Sequence, residues 1–85
     1  MLTLNLTNDA VKFVNGLPPK QYTQVMRKVI DLLRNPRPND SIQLKGATDG
    51  ERRTDIGEYR IIYRHDEVAL YVDVIGKRND GAAYR

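Results

Sequence analysis

The residues of this chain best suited to chemistry are cations and tyrosines in its second half. Arg52, Arg53, Arg60, Arg64, Lys77 and Arg78 lie there, with Tyr59, Tyr63, Tyr71 and Tyr84 among them. A guanidinium presents its N–H groups as a rigid fork that matches phosphate oxygens. A tyrosine offers a flat face for stacking on a base and a hydroxyl at its tip. Arg53 and Arg60 flank a short turn, so they could converge on one phosphate. The same residues also make up solvated strand faces and core tyrosines, and taken alone that is the more ordinary account. The net charge of +3, from 14 basic and 11 acidic residues, permits attraction to a polyanion without demanding it.

Other chemistries find no support. There is no cysteine, hence no disulfide and no thiolate nucleophile, a composition that suits a reducing compartment. His65 is the sole histidine and falls in a turn, which argues against a zinc site and against a Ser-His-Asp set. Gly46 and Gly50 flank a loop that no helix follows, so they do not form a phosphate-binding loop. No metal and no cofactor is expected. No apolar run approaches the roughly 20 residues that cross a bilayer. The first residues carry no basic leader. A cytoplasmic protein with no membrane partner is the expectation.

The elements that must position the cations follow from periodicity. With 85 residues the chain is read as a single domain, 1–85, around one core, small enough that a partner protein could add to its stability. Leu2, Leu4 and Leu6 alternate with polar residues, which predicts a half-buried strand. Thr7 or Asn8 can cap a helix carrying Ala10, Phe13, Val14 and Leu17 on one face, closed by Gly16 and Pro18-Pro19. A second helix starts near Pro19. Its apolar stripe is Tyr22, Val25, Met26, Val29, Leu32 and Leu33, and Pro36 and Pro38 stop it. So short a link predicts a helical hairpin.

Three strands then follow: Arg52 to Ile56, Tyr59 to His65 and Val68 to Ile75. The links Gly57-Glu58 and Asp66-Glu67 suit hairpins, so the three should be antiparallel neighbours. In the middle strand Tyr59, Ile61 and Tyr63 share one face, and Arg60, Ile62 and Arg64 the other. The fold class is therefore α+β, ordered β-α-α-β-β-β. An antiparallel meander sheet packs one face on the helical hairpin and leaves the other free to carry a site. Gly76 to Arg85 reads as a tail leaving the sheet.

Certain of these residues also carry a family resemblance. Leu44-Lys45-Gly46, then Arg53-Thr54-Asp55-Ile56-Gly57-Glu58-Tyr59-Arg60-Ile61-Ile62-Tyr63, then Val74-Ile75-Gly76-Lys77-Arg78 and Tyr84 resemble the RelE/ParE toxin superfamily over nearly the whole chain. The resemblance implies a RelE-like fold and the toxin of a type II toxin–antitoxin module. Such a toxin would be a ribosome-dependent endoribonuclease, an mRNA interferase that cleaves mRNA in the A site and so inhibits translation. The 2′-hydroxyl would attack its own adjacent phosphate, without metal, leaving a cyclic phosphate and a free 5′-hydroxyl.

By the same resemblance, Arg53 stands at a lysine position of the motif, Arg60 and Arg78 match its two arginines, and Tyr84 matches its C-terminal tyrosine. The second lysine position holds Glu51, and an arginine common two residues after Arg53 is replaced by Asp55. Arg53 is a poor base because a guanidinium stays protonated, which leaves Glu51 as the candidate base. The catalytic set is then Arg53, Arg60, Arg78, Tyr84 and Glu51, with Lys45, Arg52, Arg64 and Lys77 as expected RNA contacts. The implied partners are the ribosome with its mRNA and a RelB-like antitoxin encoded next door, through which the complex would bind operator DNA. Two alternatives share the fold: a ParE-like DNA gyrase inhibitor with no nuclease activity, and an inactive toxin-fold partner of a DNA-binding antitoxin.

Overall fold

The computed structural model describes residues 1–44 and 50–79. Its elements are β1 (Thr3–Leu6), α1 (Asn8–Asn15), α2 (Pro19–Arg34), β2 (Ser41–Gln43), β3 (Arg52–Ile56), β4 (Tyr59–His65) and β5 (Ala69–Lys77). Local chemistry explains most of the boundaries. Thr7 caps α1, its side chain accepting from the Ala10 N–H at 3.1 Å. Pro19 opens α2, where a missing N–H costs nothing. Asn35 ends it ahead of Pro36. Asp66 turns β4 into β5 by accepting from the N–H groups of both Val68 and Ala69 at 2.8 Å.

The sheet is mixed and five-stranded, in the order β1-β5-β4-β3-β2. The expected meander β3-β4-β5 is antiparallel throughout. β1 joins it alongside β5 in parallel, Leu4 opposite Leu70 and Leu6 opposite Val72. β2 is an additional edge strand, antiparallel to β3, that residue patterning does not reveal. β5 also runs on through Gly76 and Lys77, so the chain leaves the sheet later than expected.

One sheet face carries the helices. Val25, Val29 and Leu32 of α2 and Ala10 and Val14 of α1 pack with Tyr59, Ile61 and Tyr63 of β4 and Leu70, Val72 and Ile75 of β5. These side chains are almost entirely removed from water. Each fully buried aliphatic side chain among them contributes roughly 1.5–3 kcal/mol. Tyr22, expected in the apolar stripe, is instead exposed, because the stripe that meets the sheet runs through positions 25, 29 and 32. The buried Tyr63 hydroxyl donates to the Pro36 carbonyl at 2.7 Å, which ties β4 to the chain leaving α2. Among the described residues no helix is long and apolar enough to cross a membrane.

The β3–β4 hairpin sets the register of everything that follows. Its loop is only Gly57 and Glu58, with Ile56 opposite Tyr59. Gly57 has φ +57°, the left-handed region at the first loop position that a type II′ hairpin demands. A side chain there would be strained by its backbone first. The contact with Gln24, 2.8 Å from a Cβ at this point, is secondary because that side chain can move.

Candidate functional site

Strand alternation sorts the candidate residues between two faces. Arg53 and Asp55 of β3 pair with Ile62 and Arg60 of β4, and all four point away from the helices. Across the other edge of β4, Val74 and Gly76 of β5 face the same way, opposite Ile62 and Arg60. Arg52 does not share this face. It pairs with Tyr63 on the helix side, and its guanidinium donates to the hydroxyl of the buried Ser41 at 2.9 Å. That is a structural link between β3 and β2, and it sets Arg52 apart from the open-face cluster. Lys77 likewise pairs with Tyr59, on the alternate face from Arg60, and lies apart from the open-face cluster. Glu51 precedes β3, with its carbonyl accepting from the Leu44 N–H at 2.8 Å. Continuing the alternation puts its half-buried side chain on the same side as Arg53. Lys45 and Tyr84 lie outside the described residues.

On the open face, beside the β3–β4 hairpin loop, sits a carboxylate held by two arginines. Arg60 grips Asp55 with two N–H groups, Nε to Oδ1 at 2.8 Å and Nη2 to Oδ2 at 3.3 Å. Arg78 comes from just beyond β5. Its Nε lies 3.5 Å from Oδ2 of the same carboxylate, and its Nη1 donates to the Gly57 carbonyl at 3.3 Å. The backbone N–H of Arg78 donates to the Glu58 carbonyl at 2.8 Å, which anchors the residue to the hairpin loop. Arg60 is only 6% exposed although it lies on the helix-free face, so its guanidinium is held in one orientation. In the sequence Asp55 stands out only as a departure from a motif. The two-residue hairpin is the signal that could have found its partner, since such a loop places position 55 opposite position 60.

The electrostatics follow from this geometry. The hydrogen bonds from Arg60 hold the Asp55 carboxyl below its ordinary value of 3.8. Partial burial opposes that shift, and the charges of Arg60, Arg78 and Arg53 reinforce it. A carboxylate with a lowered pKa stabilises the fold above its ordinary value, and that contribution is lost as the pH falls through the lowered one. Asp55→Asn should therefore unfold more easily than the parent near neutral pH, and the difference should shrink as the pH drops below 3.8. Urea midpoints collected down an acid series measure this. A difference independent of pH would show that the clasp adds nothing through its charge.

Further along the open face, Arg64 donates from Nε to Asp73 Oδ2 at 3.1 Å, and its guanidinium lies 4.8 Å from the centroid of the Tyr71 ring. This arrangement depends on a bulge. Ile62 pairs with Val74 and Tyr63 with Val72, so Asp73 is an extra residue of β5 with no partner opposite it. His65 is the last residue of β4, where the expected strand also ends, and accepts from Arg37 Nε at 3.3 Å.

Arg60 and Arg78 thus close on one anionic group, and Arg53 adds its positive charge nearby. Comparison with known proteins agrees with the layout. The chain is similar in structure to a chain of the archaeal RelE–RelB complex of Pyrococcus horikoshii, with a TM-score of 0.79 and 24% identity over 92% of this chain and 96% of that one. The isolated RelE toxin of E. coli matches with a TM-score of 0.79 and 23% identity, over 99% and 92% of the two chains. The RelBE2 toxin–antitoxin complex of Mycobacterium tuberculosis matches with a TM-score of 0.76 and 25% identity, over 91% and 98%. Among curated sequences, none is significantly similar to this chain. The model of the ParE toxin of type II toxin–antitoxin systems matches residues 4–81, nearly the full length, and the chain belongs to that family.

Proposed function

We propose that this toxin is a ribosome-dependent endoribonuclease that binds the phosphate to be cleaved between Arg60 and Arg78. The observation that carries the reading is the Asp55 clasp. Two guanidiniums, one from β4 and one from just beyond β5, meet on one pair of anionic oxygens, the arrangement that a phosphodiester also needs. When the 2′-oxygen attacks phosphorus, the five-coordinate transition state gains negative charge. Arg60 and Arg78 neutralise it without any proton transfer. The attack closes a 2′,3′-cyclic phosphate and breaks the bond to the 5′-oxygen, which takes up a proton. Arg53, on the same face, adds positive charge for the entering strand. Glu51 is the candidate acceptor of the 2′-hydroxyl proton, and Tyr84 the group that stacks on a base or supplies the proton to the leaving oxygen. With so few acid–base groups, alignment of the 2′-hydroxyl with the leaving oxygen has to come from the ribosome holding the mRNA.

The clasp also favours a second reading. Asp55 already engages both arginines and offsets part of their charge, which suits a ParE-like gyrase inhibitor that binds without cleaving, or a toxin fold retained as an antitoxin's partner. Primer extension on cellular mRNA after induction separates the three. Cuts at codon spacing support the nuclease. DNA damage without cuts supports the gyrase inhibitor, and neither effect supports the inactive partner.

Several of the similar structures are toxin–antitoxin complexes, including those from Pyrococcus horikoshii, Mycobacterium tuberculosis and Methanococcus jannaschii. By that likeness the resting state of this protein is a complex with a RelB-like antitoxin that also binds operator DNA. An acidic segment that folds on binding suits Arg78 and Arg64, whose side chains are about half exposed. Co-expression with the neighbouring reading frame should give a complex that survives purification and protects β3–β5 amides from hydrogen exchange. Failure of any neighbour-encoded protein to co-purify would count against it.

A further inference from the structure

The open face carries a second arrangement, separate from the Asp55 clasp, that the proposed chemistry does not use. Arg64 lies four residues along β4 from Arg60 on the same face, about 13 Å away at ordinary strand rise. Its guanidinium is fixed on two sides. Asp73 holds its edge at 3.1 Å, and the Tyr71 ring lies beneath it at 4.8 Å. Tyr71 is itself held, its hydroxyl donating to Asp66 Oδ2 at 3.4 Å. The Arg64 side chain nevertheless keeps 42% of its surface exposed. An arginine recruited only for solubility would not need a ring under it and a carboxylate at its edge. Those contacts orient a planar cation and leave much of it open to solvent.

We propose that the Arg64–Tyr71 pair is a stacking platform for one nucleobase of the bound RNA, flanking the phosphate held at Arg60 and Arg78. The proposal rests on the reading of the open face as an RNA site and names a subsite within it. A guanidinium plane stacks on any base, and the tyrosine beneath adds a cation–π contribution. Phosphate attraction does not explain the local composition, because Asp66 and Asp73 lie beside the pair and offset its positive charge. The platform therefore holds the base and leaves the backbone to the arginine clasp.

The test compares a short mixed-sequence single-stranded RNA with an abasic oligonucleotide of the same length and charge, measured at low salt. The wild type should bind the base-containing strand about tenfold more tightly, the lower part of the range for one stacked base. Arg64→Lys keeps the charge and removes the plane. Tyr71→Ala removes the support. With Tyr84→Ala as the common background, so that the other candidate stacking residue does not contribute, each should erase most of that preference, and Tyr71→Phe, which retains the ring, should keep it. Arg60→Ala should weaken both strands alike. Equal binding of the two strands by the wild type overturns the proposal, as does an unchanged preference in Arg64→Lys and Tyr71→Ala. Primer extension on ribosomes judges the nuclease reading separately. Codon-spaced cuts from a protein that shows no base preference would leave the nuclease standing and remove the platform. A base preference without cuts would do the reverse.

Discussion

Arg60→Ala and Arg78→Ala should each abolish growth arrest while the protein stays folded. Removing one preorganised group that meets developing charge typically costs 10²–10³-fold in rate, and here the two arginines are asked to carry most of the stabilisation. The fold should survive for reasons visible in the structure. The core lies on the opposite sheet face and includes neither residue. Asp55, left with one arginine, is about one-third exposed and can be hydrated. Circular dichroism and an unfolding curve establish folding, and growth after induction measures toxicity. If both folded variants arrest growth as the parent does, the phosphate is not bound there. Arg60→Lys adds a finer reading. It keeps a charge but cannot reproduce the two-point grip on an anion, so it should recover only part of the activity.

Tyr84→Ala should lose cleavage of a programmed ribosome, and Tyr84→Phe tells why. A phenylalanine keeps the stacking face and lacks the hydroxyl. If the tyrosine acts by stacking, the phenylalanine variant retains most activity. If it supplies the proton to the leaving oxygen, both variants fall by roughly 10²–10⁴-fold. A phenolic hydroxyl can donate a proton, so the second role is chemically open to it. The same assay with EDTA, at enough magnesium to keep ribosomes intact, should show undiminished cleavage, since the proposed steps use no metal. Strong cleavage of naked RNA, or a need for an added transition metal, would show the mechanism to be mistaken.

Much of this site is legible in the order of the residues alone. The alternation in Tyr59–His65 assigns Arg60, Ile62 and Arg64 to one face and Tyr59, Ile61 and Tyr63 to the other, and the fold keeps that division. The same rule separates Arg52 from Arg53, so the two neighbours cannot both serve the open face. The Asp55–Arg60 pair is also within reach, because a two-residue loop at Gly57-Glu58 leaves no other register.

Other features depend on closure of the whole sheet. Ser41–Gln43 is too short to show a period, and its apolar residue, Ile42, is exposed, so only pairing with β3 makes it a strand. β1 shows a strand's alternation but nothing of its neighbour. Its place beside β5 follows from helices that return the chain to the far edge of the sheet. Arg78 meets Asp55 because β5 ends beside the β3–β4 hairpin loop. The bulge that turns Asp73 toward Arg64 is an irregularity in pairing with no mark in residue spacing.

Residue order is therefore enough to say which residues lie on the meander strands, which side of β4 each takes, and which cations are available for an anion. Those are local consequences of backbone geometry, repeated every second residue. Which of the cations meet, and that they meet around a carboxylate, is a property of the folded chain. Contact between β3, β4 and the end of β5 is set by long-range strand pairing, whose register reflects the packing of the entire sheet on its two helices.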